Sequence, residues 1–359
     1  MGPGPSSIHP KVYEALSHYT LGHLDPYFIK IMDEIQKLLK ELLNTENKLT
    51  LPISGTGSAG MEACFVNLIE PKDKVLILIN GVFGKRMEEV ATRLGAEVNT
   101  LEFEWGTPII PDVVEEKLQH DNYKIIAAVH AETSTGVRNP IETIANIVKE
   151  VDSFYLVDAV TSLGGIEVKM DEWHIDALYS GSQKCLSCPP GLAPVSFSER
   201  AFKSIVNRKS KVPNWYLDMS LIAQYWQGER KRAYHHTAPI NMLYALYQAL
   251  LLLFEEKPQN VFNRHLQCHE ELKSGLNAIG LDLFVSEPYR LPMLNAVSIP
   301  ESADDALVRK GLRMDHNIEI GAGLGPLAGK IWRIGLMGHT ARATNVERFL
   351  NALQEVLNS

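Results

Sequence analysis

The segment Tyr179-Ser180-Gly181-Ser182-Gln183-Lys184 sets one lysine among small residues that leave room for a ligand beside its ammonium. Upstream, the apolar run Phe154-Tyr155-Leu156-Val157 ends in Asp158, 26 residues before that lysine. A buried strand ending in a carboxylate, followed by a lysine in a tight small-residue segment, suits capture of pyridoxal 5′-phosphate (PLP). The lysine would form a Schiff base with the aldehyde, and the carboxylate would keep the ring nitrogen protonated. Lysines are ordinarily solvated surface groups; the pairing with Asp158 singles Lys184 out. Arg333 lies in the apolar run Ile331-Trp332-Arg333-Ile334-Gly335. A guanidinium there is costly unless paired, and its planar fork suits a carboxylate, either an internal acid or a substrate.

Ser54-Gly55-Thr56-Gly57-Ser58-Ala59-Gly60 follows a short strand and opens a helix whose apolar positions include Met61, Phe65 and Leu68. Free amides at a helix start, approached closely past small residues, form a ready phosphate site. Gly55, Gly57 and Gly60 also satisfy G-x-G-x-x-G, so a dinucleotide site competes. That reading needs an acid at the end of the next strand, where Asn80 stands, and no lysine follows to make a P-loop. Adjacent histidines, as in Tyr234-His235-His236-Thr237, project apart, and no Cys/Asp/Glu cluster completes a metal site there. Cys185-Leu186-Ser187-Cys188 lacks the second pair of a zinc site and reads as packing. The basic run Arg230-Lys231-Arg232 reads as a solvated turn.

Elements to position these groups follow from the hydrophobic pattern. Strands are expected at Leu49–Ile53, Val75–Ile79, Glu97–Leu101, Ile125–His130, Phe154–Val157, Ala177–Tyr179 and Ala193–Phe197. Helix-length segments lie between several of them: Met61–Ile69, Lys85–Leu94, Val113–Gln119 and Ile141–Lys149. Such alternation implies an α/β fold with a mostly parallel seven-stranded sheet covered by helices. Functional groups then collect at the carboxyl ends of strands. After about Asn260 the pattern changes to a long helix, strands at Leu281–Val285, Ala296–Ile299, Ile318–Ile320 and Ile331–Ile334, and a final helix from about Ala343. This predicts a large domain over 1–258 and a smaller α+β domain over 259–359.

At 359 residues and 45% apolar composition the chain can bury a large core, and its net charge of −8 offers no footprint for nucleic acid. Four cysteines are few for this length and point to a reducing compartment. The most apolar stretch, Ile240 to Phe254, is interrupted by Asn241 and Gln248 and is too short to span a bilayer. Neither a secretory leader nor a peroxisomal tail is recognisable, so a cytoplasmic protein is expected.

Together, Ser180-Gly181-Ser182-Gln183-Lys184, Asp158-Ala159-Val160, Tyr234-His235-His236-Thr237 and Trp332-Arg333-Ile334-Gly335 resemble the alanine–glyoxylate/serine–pyruvate aminotransferases. These are class V members of the fold-type-I PLP enzymes. The likeness runs from Gly2-Pro3-Gly4-Pro5 to the last helix, and longer relatives carry a further N-terminal arm. It implies that Thr56, Gly57 and Ser58 hold the PLP phosphate, and that Phe83 stacks on the ring where relatives usually have tryptophan. Thr133, in the place of a serine, would lie near the phenolic oxygen and the substrate carboxylate, beside Val160 and Gln183 as further cofactor contacts. Arg333 would bind the α-carboxylate, with Gly4 and His23 near the substrate. Tyr234 and Thr237 would reach a neighbouring subunit's phosphate, which implies a homodimer. Ser58 departs from the histidine of many relatives.

The expected activity is PLP-dependent transamination between alanine or serine and glyoxylate or pyruvate. A cysteine desulfurase is the rival within the fold, although its last cysteine, Cys268, sits in a helical, charged stretch. A dinucleotide-binding protein or a non-enzymatic subunit are rivals of other classes.

Overall fold

The computed structural model describes residues 1–227 and 232–358; Arg230 and Lys231 lie outside the described residues. Nine strands precede residue 200: β1 (Leu49–Ser54), β2 (Lys74–Ile79), β3 (Glu97–Glu102), β4 (Ile125–Val129), β5 (Ala131–Glu132), β6 (Val137–Arg138), β7 (Phe154–Asp158), β8 (Ala177–Tyr179) and β9 (Leu192–Phe197). Seven of these form one sheet in the order β1-β9-β8-β7-β4-β2-β3, while β5 and β6 make a small hairpin beside it. Neighbours from β3 through β8 pair in parallel, and β9 runs antiparallel to both β8 and β1. Only β9 is therefore reversed, and the other six strands end at the same edge.

The sequence explains this layer. β4, β8 and β9 are buried at every position, and β2 and β7 at all but their first. Successive strand residues point to opposite faces, so both faces must be covered. β3 alternates partial exposure, as an edge strand does. Helices Gly57–Leu68 and Val82–Arg93 pack on the sheet, and Pro26–Leu43 and Ile240–Glu256 pack together beside β1 and β9.

A second, three-stranded antiparallel sheet joins β10 (Leu294–Ser298), β12 (Ile331–Gly335) and β11 (Gly321–Ala322), in that order. Helices Pro258–Ala278, Asp305–His316 and Ala343–Leu357 bury a separate core with it, containing Leu272, Trp332 and Phe349. Two expected strands are absent. Leu281–Val285 runs beside β10 but makes only the isolated bridge Leu283↔Val297, between a left-handed Gly280 and the turn at Pro288. Ile318–Ile320 spends its first amide on the helix end, Ile318 N–H donating to Leu312 O at 2.9 Å. Pairing there begins only at Gly321.

Candidate active site

Because six strands end at one edge, the segments that leave β1, β2, β4, β7 and β8 meet there. They carry Gly57, Phe83, Thr133, Asp158 and Lys184 respectively. Asp158 is the last residue of β7 and is 3% exposed. Its Oδ1 accepts from the Val160 amide at 2.7 Å and its Oδ2 from the Tyr179 hydroxyl at 2.6 Å. Burial pushes its carboxyl up to about 6, against the pull of Tyr179, Val160 and Lys184. A carboxylate kept this dry stays charged at neutral pH but favours a cationic partner.

Lys184 is 9% exposed, and burial holds its amine down to about 8. Its Nζ donates to the carbonyl of Pro3. The segment Met1–Ser6 threads between the lysine loop and β12: Ser6 Oγ donates to Lys184 O at 2.8 Å, and the Gly335 amide to Met1 O at 2.6 Å. Glycine suits the backbone at position 4, and its missing Cβ leaves the end of the Lys184 side chain undisturbed. The Gly4 φ is +98°, and a Cβ there would lie 2.7 Å from both Cδ and Nζ of Lys184.

Helix Gly57–Leu68 starts beside the lysine loop. Its N-cap Thr56 makes no side-chain cap, so first-turn amides face outward between exposed Thr56 and Ser58. Gly57 lies flush with the loop, since a Cβ would sit 3.4 Å from Val160 Cγ2 and 3.5 Å from Ser180 O. Gln183 Oε1 is a buried acceptor with no hydrogen-bond partner among the described residues. An open helix start and the Gln183 side chain lie on the same side of the Gly181 turn.

Thr133 and Arg333 meet across the two sheets. Arg333, 8% exposed on β12, donates through Nε to Ala322 O at 2.7 Å and through one terminal nitrogen to Thr133 O at 3.2 Å. Both acceptors are neutral carbonyls, and among the described residues no carboxylate bonds the fork; burial lowers its pKa while Glu132 opposes this. Phe83 is half-buried, with the Arg86 guanidinium 5.2 Å above its ring. Thr133 is buried, its Oγ1 3.5 Å from that of Thr161.

Tyr234 and Thr237 are exposed and bond each other at 3.2 Å between Oη and Oγ1, with the His23 ring 4.9 Å from Tyr234. His235 and His236 share a 2.8 Å contact between Nδ1 atoms; their other nitrogens face Trp215 O and Ser54 Oγ. Cys185 and Cys188 are buried and unbridged.

Two residues at the site escaped the sequence reading. Tyr179, paired opposite Asp158 in the β7–β8 register, supplies its hydroxyl donor. Glu132 is fully buried next to Thr133. Neither position has a local signal; a tyrosine on a short apolar strand and an acid in a polar loop are ordinary until the strands are paired.

The aminotransferase class-V family profile matches residues 4–345. The (S)-ureidoglycine–glyoxylate transaminase of Bacillus subtilis is 40% identical, with 99% of this chain and 90% of the relative covered. The alanine–glyoxylate aminotransferase of Drosophila melanogaster is also 40% identical, covering 100% and 92%. A crystal structure of an alanine–glyoxylate aminotransferase from Nostoc sp. superposes with a TM-score of 0.97 at 47% identity, covering 99% of this chain and 94% of that one.

Proposed function

Because the chain belongs to the class-V aminotransferase family, we propose that it moves an amino group from alanine or serine to glyoxylate or pyruvate, using PLP held at this strand edge. The observation that carries the reading is the convergence of buried Lys184 and buried Asp158 at the carboxyl ends of β7 and β8. The residues fit the cofactor. Asp158 is buried with its oxygens held by Tyr179 and Val160 and would gain from a cationic ring nitrogen, and the uncapped helix at Gly57 suits a phosphate. Thr56, Gly57, Ser58 and Gln183 would hold the phosphate end, Phe83 and Val160 would flank the ring, and Thr133 would stand at its oxygen edge. When bound, PLP supplies the electron sink that makes the substrate Cα–H acidic.

The chain's own groups do the rest. Asp158 would hold a proton on the ring nitrogen by its charge. Lys184, with its amine depressed to about 8, can both take a proton at Nζ and return it near neutral pH. Arg333 orients one carboxylate with the part of its fork that Ala322 and Thr133 leave free, and Gly4 keeps the lysine side of the site open. Arg138 is exposed and donates to Pro288 O at 3.1 Å, so it does not offer a second buried fork for a dicarboxylate. Glyoxylate is the acceptor in the names of both curated relatives, whereas their donors differ. The test is kcat/KM for alanine–glyoxylate beside glutamate–pyruvate. A preference for the first supports the small-substrate reading, and a preference for the second overturns it.

We further propose a division into a PLP-binding domain over 1–258 and a small domain over 259–359; the two largest cores support it, with two small clusters around Cys185 and Val137 packing across the divide. A homodimer is the proposed assembly, with Tyr234 and Thr237 completing the partner's phosphate site; their exposure in the single chain supports this. Active, PLP-saturated monomer in sedimentation would contradict it. Four unbridged cysteines support a reducing, cytoplasmic setting. No helix among the described residues is long and apolar enough to cross a membrane. The desulfurase alternative needs a reactive thiol on a loop, but Cys268 is buried within helix Pro258–Ala278 and burial raises its pKa.

A further inference from the structure

Helix Val82–Arg93 carries Phe83 in its first turn, and its N-cap is Gly81, which has no side chain to cap with. Its first amides are satisfied from another loop. Phe83 N–H donates to Glu132 Oε2 at 3.2 Å, and Val82 N–H donates to Ser134 Oγ at 2.9 Å. Ser134 is tied back to the same carboxylate: its amide and its hydroxyl donate to Glu132 Oε1 at 3.1 and 2.5 Å. The two oxygens of Glu132 thus take three donors. Gly81 is required for space, because its φ of 179° is ordinary extended backbone but a Cβ there would lie 2.5 Å from Ser134 Oγ.

A fully buried carboxylate is expensive unless it is matched. Here the Ser134 donors and the Phe83 amide at the helix N-terminus pull toward the ionised form, with Arg333 nearby, while burial and Asp158 oppose them. Glu132 also sits directly before Thr133, whose carbonyl accepts from Arg333 at 3.2 Å. The turn is closed behind it, the Thr135 and Gly136 amides donating to Glu132 O at 3.2 and 2.9 Å. One side chain therefore joins the helix bearing Phe83 to the loop whose Thr133 carbonyl bonds Arg333.

We propose that Glu132 is a positioning residue that couples the placement of Phe83 against the cofactor ring to the placement of Arg333 at the substrate carboxylate. This rests on the PLP reading above. A serine or aspartate at the N-cap could satisfy the helix alone; a carboxylate reaching in from the Thr133 loop does so while fixing that loop. Its carboxyl, pushed up to about 7 mainly by burial with Asp158 adding to the shift, is consistent with a group held in the electrostatic field of the site.

Glu132→Gln keeps the volume but has one acceptor oxygen instead of two. With that oxygen facing the two Ser134 donors, its NH2 faces the Phe83 amide, and the Phe83 tether is lost. Cofactor-free wild type, Glu132→Gln and Ser134→Ala are titrated with PLP, reading the dissociation constant and the visible circular dichroism of the bound chromophore. Steady-state kinetics with glyoxylate and thermal unfolding accompany the titration. Loss of a charge-assisted hydrogen bond predicts a dissociation constant raised about tenfold in Glu132→Gln, with altered dichroism and a larger rise in glyoxylate KM than fall in kcat. Ser134→Ala shifts the same readouts in the same direction. Wild-type dichroism and PLP affinity in a folded Glu132→Gln overturns the inference, as does a lower melting temperature with both spectroscopic readouts unchanged. Wild type that binds no PLP overturns the underlying reading and the inference with it.

Discussion

The Tyr179 hydroxyl donates to Oδ2 of Asp158 at 2.6 Å, across adjacent parallel strands in which the two residues are register partners. This bond and burial act in opposite senses on one carboxylate. Burial wins, holding Asp158 at about 6 instead of its ordinary 3.8. In the proposed reaction Asp158→Asn removes the counter-charge to the ring nitrogen, and loss of one charge-assisted hydrogen bond predicts a roughly hundredfold fall in kcat. Tyr179→Phe removes a donor, raises the Asp158 pKa further, and moves the acid limb of PLP affinity to higher pH.

The same carboxylate gives a stability prediction of opposite sign. Its folded pKa lies above its unfolded one, so its contribution is fully present below 3.8 and is lost as pH rises through about 6. That amounts to about 3 kcal/mol missing at pH 8 in the cofactor-free protein. Cofactor-free Asp158→Asn should therefore melt above wild type at pH 8, with the gap closing toward pH 4. Thermal unfolding at both pH values checks this; a variant that melts lower at pH 8 contradicts it.

Gly4→Ala should strike the lysine without touching the sheet. The residue has φ +98°, and its new Cβ would lie 2.7 Å from Lys184 Nζ. Strain of ~1–2 kcal/mol from the left-handed backbone adds to the collision. The expected result is a weaker PLP titration, followed by visible absorbance, in a protein with an unchanged far-ultraviolet spectrum.

Arg333→Lys replaces a fork with a single ammonium. A lysine cannot hold Ala322 O and Thr133 O and still present two donors to a carboxylate. Loss of ~2–3 kcal/mol predicts that kcat/KM for alanine–glyoxylate falls roughly a hundredfold, with the visible spectrum of bound PLP retained. An indifferent Arg333→Lys would remove Arg333 from substrate binding.

β2, β4, β7 and β8 were legible as short, nearly continuous apolar runs, whereas the edge strand β3 buries none of its residues, and β9 is reversed in a way no local pattern encodes. Helices Pro26–Leu43 and Asp305–His316 went unread although they carry Asp25 and Asp304 caps and end at left-handed Asn44 and Asn317. Leu281–Val285 alternates like a strand yet lacks a ladder, since its register is decided by β10 and not by its own residues. Lys184 and Asp158 were readable from a strand end and a small-residue turn. Gly4 was not, because nothing local tells that residue 4 packs on residue 184; the family resemblance supplied it. Tyr179 and Glu132 act through pairing between strands and between loops, which single-chain periodicity does not contain.

Lys184 is expected to bond covalently to PLP, and borohydride tests this most directly. Purified protein loaded with PLP is reduced with borohydride, digested, and the labelled peptide sequenced. The expected result is visible absorbance that disappears on reduction and a pyridoxyl group on Lys184 alone, with Lys184→Ala taking no label and losing turnover. A label on another lysine, or full turnover in Lys184→Ala, would contradict it.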